Sequence, residues 1–142
     1  MLLTRVFPFA LLMLGLSLVY GYQPRADESG ATEGIHEAIL SQIEAFANDD
    51  RATAWSYAAD GVKQRFGSPD VFVRMVALAY PAVHHATAIE FRQRVPHGSY
   101  DVQVVRLRGP DGKMWDAYYQ MVNGEQGWKI AGVGLKPADP GI

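Results

Sequence analysis

The sequence predicts an α+β domain in which N-terminal helices pack on the concave face of a curled four-stranded antiparallel sheet, giving a cone. Three observations carry this expectation. Apolar residues recur at helical spacing up to Pro81 and alternate with polar ones after it. The alternating region is cut into four runs by His97-Gly98, Gly109-Pro110-Asp111-Gly112 and Asn123-Gly124-Glu125-Gln126-Gly127, all turn-forming chemistry. The composition, 49% hydrophobic and 20% charged with 14 Gly and 8 Pro, is that of a folded domain and excludes disordered, coiled-coil and collagen-like chains.

The chain begins with one positive charge in Met1–Arg5 and an uncharged apolar run from Val6 to Tyr20. Fifteen helical residues rise about 22 Å, short of the roughly 30 Å hydrocarbon core of a bilayer. Residues 1–21 are therefore read as a signal peptide, cut between Gly21 and Tyr22, or else as an uncleaved inner-membrane anchor. Either way the expected address is periplasmic, with the membrane met only through this segment. Residues 22–33, polar and without periodicity, read as a linker, residues 34–136 as one domain and residues 137–142 as a tail. The 121 residues that follow such a cut suffice for one core, not two. There is no Cys, which removes disulfides, thiolate catalysis and Cys-bound metal. A net charge of −2 offers nucleic acid no electrostatic footing.

Ile35, Ile39, Ile43 and Phe46 form one stripe of a first helix, Gly34 to Asn48. Asp49 and Asp50 stop it and can cap a second helix from Arg51, with Ala54, Trp55 and Ala58 as its apolar side. A helical turn from Asp60 to Phe66 follows. Ser68-Pro69-Asp70 then reads as N-cap, first helical residue and dipole-favourable acid of a further helix that ends before Pro81.

In the first strand Ile89 and Phe91 alternate with Glu90 and Arg92. In the third, Trp115, Ala117, Tyr119 and Met121 alternate with Asp116, Tyr118 and Gln120. In the fourth, Trp128 and Ile130 oppose Lys129, and an unbroken period of two puts Gly132 and Gly134 inward with them. The second strand shifts polar phase across Val104-Val105, as a bulge there would produce.

The run Ile43, Ala45-Phe46, Asp49-Asp50, Ala54, Phe66-Gly67, Phe72, Met75-Val76, Tyr80-Pro81, Val83, Tyr119-Gln120-Met121, Gly127-Trp128, Ile130, Gly132-Val133 and Leu135 resembles the bacterial domain of unknown function 4864. Through it the chain is similar to the nuclear-transport-factor-2-like superfamily of cone-shaped domains. The resemblance spans about residues 35 to 135. It implies the cone fold and frequent pairing through the outer face of the sheet. It assigns no activity and no catalytic residue.

No metal, cofactor or catalytic set is expected. His84 and His85 are adjacent on an extended segment, so they point apart and read as surface histidines. Asp116, Glu90 and Asp101 are placed on the outer face, leaving Asp60 and Asp70 as the carboxylates able to reach a cavity mouth. The candidate cavity-lining residues are Trp55, Tyr80, Phe91, Tyr119, Trp128, Gly132 and Gly134. Ala131, Val133 and Leu135 are expected to form an exposed apolar strip on the outer face, the candidate interface of a homodimer. The expected function is an exported binding or interaction module. The alternative is a small enzyme acting on an apolar ligand inside the cone.

Overall fold

The structure, a computed structural model, describes residues 26–139. The export segment, the first residues of the stretch read as linker and the last three residues of the chain lie outside the described residues. Among the described residues, five helices precede four strands: α1 (Ala26–Ala47), α2 (Arg51–Ser56), α3 (Asp60–Phe66), α4 (Pro69–Ala79), α5 (Pro81–His84), then β1 (Ala88–Pro96), β2 (Asp101–Arg108), β3 (Met114–Gly124) and β4 (Gly127–Pro137). The strands form one antiparallel sheet in the order β1-β2-β3-β4.

Local chemistry sets the helix ends. The Asp50 carboxylate caps α2 by accepting from the Thr53 amide, and Ser68 Oγ caps α4 by accepting from Val71. Asp49 takes the left-handed conformation, φ 54°, that turns the chain out of α1. One helix start differs from expectation: α1 begins at Ala26, eight residues before Gly34. Once the apolar stripe from Ile35 to Phe46 is docked, adding polar turns upstream requires no new nucleus, so the helix runs on without a core face of its own.

The core lies between α1, α4 and the concave face of the sheet, where Ile35, Ile39, Val105, Leu107, Ala117, Tyr119 and Met121 are fully buried. Two bulges decide which residues face it. The first lies in β1, not in β2 as the polar phase suggested: Phe91 pairs with Val105 but Arg94 with Gln103, so β1 carries one extra residue. Strand β2 alternates regularly against β3, with Asp101, Gln103, Val105 and Leu107 inward. The phase shift seen in the sequence is thus two inward polar residues. Asp101, expected outside, is 8% exposed and accepts from Arg94 Nη1 at 2.6 Å. Gln103 Nε2 donates to the carbonyls of Arg92 and Val104 at 3.0 Å, tying down the bulge. Asp116 does face outward, where it holds Arg106 through two hydrogen bonds.

The second bulge lies in β4. Met121 pairs with Ile130 but Gln120 pairs with Gly132, leaving Ala131 as the extra residue. Beyond it the phase reverses. Val133 stands opposite Tyr119 and Leu135 opposite Ala117, so both face the core they pack against, whereas Gly132 and Gly134 stand opposite Gln120 and Tyr118 on the outer face. The expected apolar strip at Ala131, Val133 and Leu135 is therefore not on the outer face, and the pairing argument built on it loses its footing.

Candidate functional site

A cavity of about 680 Å³ opens between the helices and the β3–β4 half of the sheet. Its walls come from Gln42 and Phe46 of α1, Ala59 and the segment Asp60, Gly61, Val62, Arg65 and Phe66, then Phe72, Met75, Val76 and Tyr80 on and after α4, and Val83 of α5. Tyr119 and Val122 of β3 and Ile130 through Val133 of β4 complete it.

The elements are held apart by defined contacts. Ala58 bridges to Ile130, with Ala59 N donating to Ile130 O at 2.9 Å and Ile130 N to Tyr57 O at 2.8 Å. That bridge hangs the α2–α3 connection on β4, and α3, which has no buried residue, becomes a side wall instead of a core helix. Gln42 is buried and its Nε2 donates to Ala54 O at 3.0 Å, fixing α1 to α2 behind the cavity. The β4 bulge turns Val133 into the wall.

Most of the lining is apolar, and the polar groups divide by depth. At the outside, Asp60 and Arg65 are exposed, and the Arg65 guanidinium lies 5.5 Å from the Phe66 ring. At depth stands Tyr119, wholly buried, whose hydroxyl has no hydrogen-bond partner among the described residues. Burial pushes its ionisation well above the usual phenol range, so it remains an O–H donor at any ordinary pH.

Of the seven candidate lining residues, Tyr80 and Tyr119 line the cavity, and Gly132, outward by register, reaches it only with its backbone beside the bulge. Trp55 packs on Phe72 with ring centroids 5.8 Å apart, one layer behind the wall. Phe91 stacks on His36 of α1 at 3.8 Å, on the concave face toward the β1 edge and outside the cavity lining. Trp128 lies under Gly34 of α1, and Gly134 faces outward with open space above it. Ala131 and Val133, expected at an interface, are cavity residues, and Leu135 packs against the core. Of the two carboxylates able to reach a cavity mouth, Asp60 is in the lining. Asp70 is not, being bound to Arg51 at 3.0 Å.

Sequence reasoning missed the wall built by α3 and α4. The signal available was the Val62/Phe66 pair, four residues apart in a segment read as a helical turn but given no apolar face. His84 and His85 share an edge-on contact at 4.3 Å, and His84 also packs on Phe46. Among the described residues no group of three or more His, Asp or Glu side chains could hold a metal ion.

The family model of a domain of unknown function, DUF4864, matches residues 28–140. The chain is also similar to a crystal structure of a nuclear-transport-factor-2-like protein of unknown function from Silicibacter pomeroyi DSS-3. The identity is 15% and the TM-score 0.56, over 78% of this chain and 98% of the other. That likeness shows the fold. No curated protein matches the chain.

Proposed function

The chain belongs to the DUF4864 family of domains of unknown function, and from that premise together with its cavity we propose that it is an exported binding module that holds one small, largely apolar molecule in the cone. The observation that carries this is Tyr119. A buried hydroxyl without a partner costs about 1–3 kcal/mol, and this one belongs to a residue of a cavity whose volume suits a ligand, about 300–1,000 Å³ being usual. The hydroxyl is covered in the empty protein, and a ligand that displaces the wall over it and accepts from Tyr119 would recover the cost. With no cation beside it at depth, the acceptor this site suits is neutral, such as a carbonyl, hydroxyl or ether oxygen. The charged start and apolar run before Tyr20 support a periplasmic address.

The enzyme reading has Asp60 in its favour, a carboxylate on the cavity wall. It stands exposed in the first turn of α3, while acid–base catalysis wants a carboxylate held out of water. Binding is thus the reading we adopt. Native mass spectrometry of the protein purified from its own cell envelope tests it. A retained small molecule, lost on denaturation and still held by Asp60→Asn, is expected. A protein uniformly free of ligand, or one that turns its ligand over in an Asp60-dependent way, overturns the reading.

A further inference from the structure

A second cavity, of about 400 Å³, lies on the same concave face toward the β2–β3 turn, walled by Pro81, Ala82, Pro110, Trp115 and Leu135. It and the first cavity have one lining residue in common, Tyr80. Along β4 the two are consecutive as well: Val133 belongs to the first and Leu135 to the second, adjacent inward positions once the bulge has reset the phase.

We infer that Tyr80 is a partition between two halves of one apolar channel along β4, and that it limits the length of ligand the cone accepts. The inference rests on the binding reading and sharpens it: the ligand class is a chain or ring system no longer than the first cavity. Tyr80 is well placed to be a rigid stop. Its amide donates to Val76 O at 2.8 Å and closes α4, while its carbonyl accepts from Val83 and His84 at 3.0 Å and opens α5. Pro81 fixes the backbone immediately after it. The ring therefore hangs from a corner bonded on both sides, and removing it would join the cavities without cutting any of those backbone bonds.

Straight-chain primary alcohols of increasing length, each a neutral acceptor on an apolar chain, test this by calorimetric titration of the full chain. Wild-type affinity is expected to climb roughly fourfold per methylene and then flatten abruptly where the chain meets Tyr80. Tyr80→Phe keeps the ring and should flatten at the same alcohol. Tyr80→Ala should go on climbing by roughly fourfold per methylene beyond that point, and adding Leu135→Trp, which refills the second cavity, should restore the wild-type limit. Should Tyr80→Ala fail to fold, Tyr80→Leu serves, with a smaller extension expected. An identical limit in wild type and the truncated variant overturns the partition while leaving the binding reading intact. No binding of any alcohol by any variant overturns both.

Discussion

A Cβ on Gly34 would stand 2.6 Å from Cδ1 of Trp128, closer than any real carbon contact. The indole of β4 thus occupies the place of a side chain on α1, and the missing side chain is what lets the helix settle onto the sheet edge.

Gly34→Ala should therefore destabilise the domain. Overpacking typically costs about 1–3 kcal/mol, set against roughly 1 kcal/mol gained from helix propensity. Gly30, in the same helix with nothing within 4 Å of its added Cβ, is the internal control. Gly30→Ala should stabilise by about 0.5–1 kcal/mol. In a Trp128→Ala background, Gly34→Ala should turn favourable. Urea midpoints measure all three, and a destabilisation by Gly34→Ala that persists without the indole would refute the contact.

The β4 bulge makes opposite predictions for neighbours. Val133→Glu places a charge against Tyr119 and the core and should cost at least about 2 kcal/mol. Gly134→Thr faces open space and replaces a poor strand former, so it should be neutral or stabilising by up to about 1 kcal/mol. If Val133→Glu were as stable as wild type, the strand would run without its bulge.

Tyr119→Phe removes a hydroxyl that has no partner among the described residues. The ligand-free protein should gain about 1 kcal/mol, read as a higher urea midpoint, while affinity for an alcohol that accepts from the hydroxyl should fall several-fold by calorimetry. A loss of stability in the empty protein would show that the hydroxyl is satisfied there.

The protonation of His84 is pushed below its ordinary value of 6.5, first by burial and then by the charge of His85, with Asp49 opposing. As pH falls, the unfolded chain takes up this proton first. Folding must then exclude it, so stability drops as the pH falls through 6.5 toward the lower folded value and is unaffected above. His84→Phe should flatten the profile of urea midpoint between about pH 7 and pH 5. Parallel profiles for the two proteins would remove His84 from the account.

By itself the sequence determined whatever depends on neighbours along the chain. The caps at Asp50 and Ser68-Pro69, the span of α3, the end of α4 before Pro81 and the four strands between their turns were all legible, because a cap, a proline or a period of two acts within a few residues. The helices-then-meander order that makes the cone follows from those signals and from the need of each apolar face for a cover.

Only the tertiary structure decided which residues the cone encloses. A bulge is a property of two strands, visible in a register such as Met121 with Ile130 beside Gln120 with Gly132 and invisible in either strand alone. One extra residue moves every later side chain to the opposite face, which is why Val133 and Leu135 point inward and the glycines outward. The inward Asp101 was hidden for a related reason. Its partner Arg94 is brought to the same face by the β1 bulge, and a charge reads as outward until the pair that allows its burial is known. The cavity itself is what the helices leave unfilled over the sheet. Its size depends on how Tyr80, Phe72 and the hanging wall of α3 meet in space, a sum over contacts distant in sequence that no local pattern records.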